Sequence, residues 1–205
     1  VMLLTDGFIA NGSQPWKIPS MSSYPSITPP IVKAGTEGYF PYKRNPESLA
    51  RGWALPGTPG LEHRIGGLEK DSLKGSVSHD PKNHQVMVNT RAEKVERVKN
   101  YIPDQDVVGD SEGDLLVIGW GGTYGHLVSA VNSMRAEGKK VSLCHIHYIN
   151  PLPKNLADVL KGFKKLVVCE LNMGQMANYL RMTYQQYDYK QMNKVEGLPF
   201  TVAEL

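Results

Sequence analysis

The pattern of hydrophobic positions divides the chain into two unlike parts. From residue 113 onwards, short continuous apolar runs alternate with segments in which apolar residues recur at helical spacing. Such runs predict strands buried on both faces of a parallel sheet, joined by right-handed crossovers. Strands are predicted at 114–120, 139–149, 164–171 and within 189–197, and helices at 122–138, 150–163 and 172–187. The expected fold class is therefore α/β, a three-layer α/β/α domain with a mostly parallel sheet.

Residues 1–83 show no such alternation and predict a long extended arm. They contain 10 of the 14 prolines and 10 of the 20 glycines. Proline fixes φ and removes a backbone donor, so long helices and central strands are not expected there. Large apolar residues nevertheless recur, which is untypical of a disordered tail: Trp16, Ile18, Tyr39, Phe40, Trp53 and Leu55. We expect an ordered arm that packs against another surface, with short strand pairs around 31–43.

A helix is predicted over 81–102, between the arm and the alternating part. Asp80 is a suitable N-cap, Pro81 suits the first helical position, and Pro103 ends the helix. Apolar residues at helical spacing predict the buried face of this helix: Val88, Ala92, Val95 and Ile102.

Composition and charge exclude several classes of protein. Lys plus Arg number 23 against 20 Asp plus Glu, a net charge of +3 that gives no support to a nucleic-acid partner. No apolar run approaches the roughly 18 residues of a membrane span, and no signal peptide is found, so we expect a cytoplasmic protein. Cys144 and Cys169 lie in apolar runs without CxxC spacing, which predicts two reduced core thiols. The opening run VMLLTD suggests a piece of a longer polypeptide.

A glycine-rich turn follows the first predicted strand of the alternating part. The glycines at 119, 121 and 125 come close to the fingerprint that holds a dinucleotide pyrophosphate. Trp120 would crowd such a cofactor, however, and the next strand ends at 145–148 without the acidic residue that binds a ribose. The turn is therefore interpreted as a tight strand-to-helix connection, with a nicotinamide-binding oxidoreductase domain as the alternative. Because a helix N-terminus offers free N–H groups, the candidate anion-binding residues are Gly121, Gly122 and Thr123.

Histidines and the segment 60–71 supply the other candidate chemistry. His145 and His147 would share a strand face, but no nearby ligand completes a metal set. His79 and His84 flank a helix start, where a structural role is favoured over anion binding. The segment 60–71 concentrates charged residues around the Gly66-Gly67 pair, and an arginine there could bind a carboxylate or phosphate in a forked geometry.

Several long motifs resemble a known family. WALPGTPGLEHRIGGLEKD, SHDPKNHQVMVNTRAEKVERV, GDLLVIGWGGTYG, YINPLPKNL and VVCELNMGQMANYLR follow one another in that order. The opening LLTDGFIANGSQPWKIP looks like the last strand and exit of a pyrimidine-binding domain. Together these segments resemble the alpha subunit of 2-oxoacid:ferredoxin oxidoreductases, particularly of the 2-oxoglutarate type. The resemblance runs along essentially the whole chain.

The resemblance implies a large complex. Such enzymes use thiamine diphosphate and Mg²⁺ to decarboxylate a 2-oxoacid, pass electrons through iron–sulfur clusters to ferredoxin, and form acyl-CoA. It also implies that the alpha subunit carries a pyrimidine-binding domain and then a domain like the C-terminal domain of transketolase. This chain would be the connecting arm (1–83) and that second domain with its leading helix (84–205). The implied partners are the beta subunit, the upstream pyrimidine-binding domain, a second alpha subunit, ferredoxin and CoA.

For the site, the resemblance implies contacts rather than catalysis. Arg51, His63 and Arg64 are the candidates for holding the carboxylates of the 2-oxoacid or the anionic groups of CoA. The family's active-site Tyr-Pro-Ile-Thr-Pro motif is not carried over to residues 24–29, which contain an extra serine and lie in the arm. No catalytic residue or metal ligand is assigned, no cofactor is expected on this piece, and the piece alone is expected to be inactive.

Overall fold

The computed structural model describes residues 2–5 and 7–205 and is built on a four-stranded sheet. Its strands are β1 (Gly113–Trp120), β2 (Val141–Ile146), β3 (Phe163–Glu170) and β4 (Tyr189–Asn193), in the spatial order β2-β1-β3-β4. Leu116 pairs with Ser142 of β2 and with Leu166 of β3, which in turn pairs with Tyr189 of β4. All neighbouring strands are parallel, which confirms the predicted sheet.

Helices connect the strands and cover both faces of the sheet. The helices of the described residues are α1 (Gly7–Asn11), α2 (Pro81–Glu96), α3 (Tyr124–Ala136), α4 (Leu156–Lys161) and α5 (Gln175–Thr183). Helix α3 joins β1 to β2, α4 joins β2 to β3, and α5 joins β3 to β4. Because the chain moves one way across the sheet through α3 and the other way through α4 and α5, right-handed crossovers place α3 on the opposite face from the other two.

Two apolar cores confirm this three-layer arrangement. Leu116 and Ile118 of β1 lie in one core, whereas Val117, between them, lies in the other. The first core includes Leu156, Leu160, Met176 and Leu180 of α4 and α5, and the second includes Leu127 and Val131 of α3 together with Phe200. Strands buried on both faces need apolar residues at successive positions, which explains the continuous runs in the sequence.

The two cysteines are free core residues, as predicted. Cys144 lies in the core with α4 and α5, and Cys169 lies in the core with α3. Burial raises the pKa of each thiol to about 12. Both side chains are therefore neutral thiols near neutral pH.

The arm that precedes α2 has almost no regular pairing. Single bridges join Ile31 to Trp53, Arg44 to Arg51 and Lys70 to Val77. The predicted strand pairs around 31–43 are therefore wrong: only the bridge at Ile31 forms within that range, because prolines at 29, 30 and 41 remove backbone donors. Many large apolar side chains of the arm face solvent, among them Trp16, Ile18, Met21 and Ile27. Within the described residues, no helix combines the length and hydropathy needed to cross a membrane.

Helix α2 starts where the sequence predicts but buries a different face. The Asp80 side chain accepts a hydrogen bond from the Lys82 backbone N–H (2.9 Å), and Pro81 opens the helix. The helix ends at Glu96 and continues as a 3₁₀ turn over Arg97–Asn100. Val88, Ala92 and Val95 were expected inside but are exposed, whereas the buried helix residues are Asn83 and Met87.

Contacts with the arm explain this face. Asn83 donates a side-chain hydrogen bond to the Lys70 carbonyl (2.9 Å) and accepts one from the Ser72 N–H (2.9 Å). Arg97 donates to the carbonyls of Pro46 and Glu47, both at 2.6 Å. Hydrogen bonds to backbone groups of the arm therefore orient α2, and the spacing of apolar positions does not predict them.

Candidate functional site

The carboxyl ends of β1 and β3 form the point where the strand order reverses. The crossover after β1 runs to β2 on one side, and the crossover after β3 runs to β4 on the other. Open α/β sheets bind ligands in the crevice at such a point, because the connecting loops diverge there. We therefore take the carboxyl end of this sheet as the place where a ligand site is expected.

A cavity of about 520 Å³ opens at this edge. Its volume lies within the range of roughly 300–1,000 Å³ that small-molecule sites occupy. The loops after β1, β3 and β4 all contribute to its walls. The lining residues are Trp120, Gly121, Gly122, Thr123 and His126 after β1, Leu171 and Asn172 after β3, and Lys194–Pro199 after β4. The candidate anion-binding turn thus lies in the cavity wall.

The glycines of this turn have separate physical roles. A Cβ on Gly119 would lie 2.2 Å from Leu127 Cδ1 of α3 and 2.9 Å from Thr123 Oγ1, so a side chain here would displace two buried side chains that pack on the strand. Gly121 has φ of +58°, a backbone conformation that favours glycine. A Cβ on Gly122 would meet open space. The glycine pattern therefore serves close strand–helix packing and a left-handed turn, as the sequence interpretation holds.

Thr123 fixes the turn to the end of β1. Its hydroxyl donates to the Trp120 carbonyl (2.8 Å) and accepts from the Trp120 N–H (3.2 Å). The side chain is buried, so these two bonds satisfy it inside the protein. The backbone at 121–123 is consequently held in one conformation at the start of α3.

Glu170 is the residue of this region that the sequence did not single out. It ends β3 with no exposed surface, and its carboxylate accepts hydrogen bonds from Trp120 Nε1 (3.1 Å), the Met176 N–H (2.8 Å) and the Ala177 N–H (3.0 Å). A buried carboxylate is stable when donors and a helix N-terminus surround it, as here. The available signal was an acid that ends an apolar run immediately before a helix. Glu170 joins α5 to the indole of Trp120 and so fixes one wall of the cavity.

The three arm candidates lie elsewhere and do not line the cavity. Arg51 is half-buried, with its guanidinium 4.2 Å from the centre of the Tyr42 ring and Nη1 donating to the Pro41 carbonyl (3.3 Å). His63 Nδ1 is 2.9 Å from the Leu61 carbonyl oxygen. Arg64 is exposed. The structure thus ties Arg51 and His63 to the arm itself and leaves Arg64 at the surface.

The remaining histidines form no metal centre in the part of the chain that the structure describes. The His145 and His147 rings are 5.0 Å apart, and burial, together with the neighbouring His147, lowers the pKa of His145. Across residues 2–5 and 7–205, no three histidine, cysteine or carboxylate side chains are placed to hold a metal ion. His84 contacts the Glu69 carboxylate, and the cap of α2 is Asp80 rather than a histidine.

Comparisons with known proteins agree with the fold and its order of motifs. Residues 113–205 match the family model described as pyruvate:ferredoxin oxidoreductase core domain II. The 2-oxoglutarate oxidoreductase subunit KorA of Mycobacterium tuberculosis is 46% identical over 208 aligned residues, which cover 100% of this chain and 31% of that protein. The alpha subunit of 2-oxoacid:ferredoxin oxidoreductase 2 from Aeropyrum pernix is 29% identical over 69% of this chain and 23% of its own length.

A solved structure shows the same likeness in three dimensions. It is the 2-oxoglutarate:ferredoxin oxidoreductase from Magnetococcus marinus with 2-oxoglutarate, coenzyme A and succinyl-CoA bound. The TM-score is 0.74 at 28% identity, covering 84% of this chain and 30% of that chain. The chain therefore spans between 23% and 31% of the length of these relatives. The comparisons support the interpretation of the chain as part of an oxidoreductase subunit, and they do not support the nicotinamide-binding alternative.

Proposed function

Since this chain belongs to the alpha-subunit family of the 2-oxoacid:ferredoxin oxidoreductases, we propose that it is part of an enzyme that converts a 2-oxoacid to acyl-CoA and CO₂. Ferredoxin takes the electrons, and 2-oxoglutarate is the first substrate to test. The observation that carries this proposal is the 46% identity to KorA along the whole chain. The 2-oxoglutarate and CoA bound to the Magnetococcus enzyme support the substrate class.

Mg²⁺ and an iron–sulfur cluster do not fit the donor groups that the described residues offer, and thiamine diphosphate is proposed to lie with them in the rest of the complex. Cluster irons are held by thiolates, commonly four, whereas this chain has two cysteines that are buried neutral thiols. The described residues also offer no set of metal ligands. We therefore assign these groups to the beta subunit and the other parts of the complex, and derive no step through them here.

The proposed contribution of this chain is assembly and the walling of the active-site cleft. The arm over 1–83 leaves Trp16, Ile18, Met21 and Ile27 between 73% and 89% exposed. Each large apolar side chain gains about 1.5–3 kcal/mol when it is buried, so the arm offers a strong docking segment. Its proposed partners are the upstream pyrimidine-binding domain, the beta subunit and a second alpha subunit. In this proposal the α/β unit is the second domain of the alpha subunit, after the pyrimidine-binding domain.

We further propose that the cavity accepts an anionic group, with CoA as the candidate ligand. Gly121, Gly122 and Thr123 bring the start of α3 to its wall, where backbone N–H groups and the helix dipole favour negative charge. Asn172 uses its side-chain oxygen to accept from the N–H groups of Gly174 (2.7 Å) and Gln175 (3.2 Å). Its amide nitrogen remains a donor for a ligand oxygen.

Reconstitution tests the proposed function. The chain is expressed with the upstream domain and the beta subunit, and reduction of ferredoxin or a viologen dye is followed with 2-oxoglutarate, pyruvate and branched-chain 2-oxoacids. We expect dye reduction that needs both a 2-oxoacid and CoA. An assembled, cofactor-loaded complex that reduces no dye with any of these acids would contradict the proposal.

A further inference from the structure

The wall that follows β4 is a loop tied at its two ends by one ion pair. Lys194, the first residue after β4, donates to Glu204 Oε1 (2.8 Å), to Glu204 Oε2 (3.0 Å) and to the Pro199 carbonyl (3.1 Å). Glu204 also accepts from the N–H (2.7 Å) and hydroxyl (3.0 Å) of Thr201. The side chains of Lys194 and Glu204 thus connect residues 194, 199, 201 and 204 by hydrogen bonds.

Burial makes this pair different from the other ion pairs of the surface. The Lys194 side chain is only 10% exposed, and an ammonium removed from water needs a close partner. The hydrogen bonds from Lys194 and Thr201 lower the pKa of the Glu204 carboxyl to about 2. A second carboxylate, Glu196, is 3.8 Å from Lys194, but its side chain is 68% exposed. Glu204 is therefore the partner that holds Lys194.

The tied segment is the same one that lines the cavity. Lys194–Pro199 lines the cavity together with the glycine turn, and Gly197 has φ of +71°, which allows the chain to reverse. Val195 and Leu198 line the cavity and are 62% and 64% exposed, which leaves apolar surface available to a ligand. Phe200, beyond the loop, is 2% exposed and is part of the core beneath α3. The loop therefore spans two anchored points and is itself lightly packed.

We propose that Lys194 and Glu204 form a latch that positions the loop Lys194–Pro199 as a closing wall of the cavity, and that opening the latch opens the cavity. Neither residue contacts reacting atoms; both act by placing Val195 and Leu198. The latch itself depends only on contacts within the chain. The identity of the ligand rests on the function proposed above.

Hydrogen exchange in the assembled enzyme tests the latch. Lys194→Met and Glu204→Gln each remove one partner, and Glu196→Gln is the matched control because it removes the exposed carboxylate beside the same ammonium. We expect exchange of the Thr201 and Glu204 amides, which donate to Glu204 Oε2 and to the Thr201 carbonyl, to become about tenfold faster in the two latch variants, the scale of one lost charged hydrogen bond. Exchange in β1 and β3 should stay unchanged, as should all amides of the control.

Two results would overturn the proposal. One is unchanged exchange of the Thr201 and Glu204 amides in Glu204→Gln, and the other is a uniform increase over the whole α/β unit, which would indicate general destabilisation. Because Glu204 is partly exposed, Glu204→Gln is expected to fold even if Lys194→Met does not.

Kinetics separate the latch from its ligand. If CoA binds in the cavity, Glu204→Gln should raise the KM for CoA about tenfold and leave the KM for the 2-oxoacid unchanged. Local loosening with no change in the KM for CoA keeps the latch and rejects CoA as its ligand.

Discussion

At the scale of single residues, one buried carboxylate joins two neighbouring strands and a helix. Glu170 of β3 holds the indole of Trp120, which ends β1, and the first N–H groups of α5. The sequence predicted a tight strand-to-helix connection at this turn, and it did not assign separate roles to Gly119 and Gly121. It could not predict the partners of Glu170, because the donors lie 50 and 6–7 residues away and meet only through the parallel pairing of β1 with β3.

Glu170→Gln tests this arrangement. The amide keeps the size of the carboxylate but turns one acceptor into a donor that faces other donors. We expect a loss of about 2–4 kcal/mol in the free energy of unfolding, measured by urea denaturation of the assembled subunit. Glu112→Gln, at an exposed position, is the control. Equal unfolding midpoints for both variants would show that the buried charge does not stabilise the fold.

Arg64 is the arm candidate that remains available to a substrate. Its side chain is exposed on the glycine-rich segment, whereas Arg51 stacks on Tyr42. In the assembled enzyme, we expect Arg64→Ala to raise the KM for the 2-oxoacid or for CoA about tenfold, since a charge-assisted contact is lost. Arg91→Ala, on the exposed face of α2, should leave both values unchanged. Steady-state kinetics with unaltered KM values for Arg64→Ala would remove it from the site.

At the scale of elements, the strands could be predicted and the face of α2 could not. Continuous apolar runs located β1, β2 and β3, whereas β4, with the sequence YKQMN, was placed only within 189–197. The predicted bounds were too wide, because β2 ends at Ile146 and not at 149, and α5 starts at Gln175 and not at 172. In those cases turn residues had been counted into the element. For α2, Val88 and Val95 suggested an inward stripe, but Asn83 bonds to the arm and turns that stripe outwards. Tertiary hydrogen bonds outweighed hydrophobic spacing because the arm has unpaired backbone groups to satisfy.

The loop after β4 should respond to pH in a defined window. Because the pKa of Glu204 falls to about 2 in the folded protein, the latch contributes fully above the ordinary carboxyl pKa and is lost as the pH falls through about 2. After correction for intrinsic exchange rates, we expect protection of the Thr201 and Glu204 amides to be constant from about pH 5 to about pH 8 and to fall below about pH 4. Glu204→Gln should show no such acid step.

Two other ionisable side chains line the cavity beside the Lys194–Glu204 pair. His126 and Glu196 line the cavity with Lys194. A change of protection between about pH 5 and about pH 8 would not come from the Lys194–Glu204 pair and would contradict this assignment of the loop.

At the scale of the whole molecule, the two parts of the chain differ in how much of their apolar surface they bury. The α/β unit buries its apolar residues in two cores. The alternation of continuous apolar runs with helical spacing in the sequence predicted this arrangement. The arm has few residues such as Leu61 that become buried, and its proline-rich composition predicted a partner surface without locating it. The cavity at the sheet edge was predicted only as far as the glycine turn, because the Lys194–Pro199 wall depends on where β4 ends.

The exposed arm also bears on how a cell would handle this polypeptide. Between Gly12 and Pro30 the arm has one charged residue, Lys17, and presents Trp16, Ile18 and Met21 to water. A newly made chain would show chaperones and proteases the kind of apolar surface by which they recognise orphan subunits. If the arm docks on a partner as proposed above, a copy without that partner keeps this apolar surface exposed and becomes a target for removal.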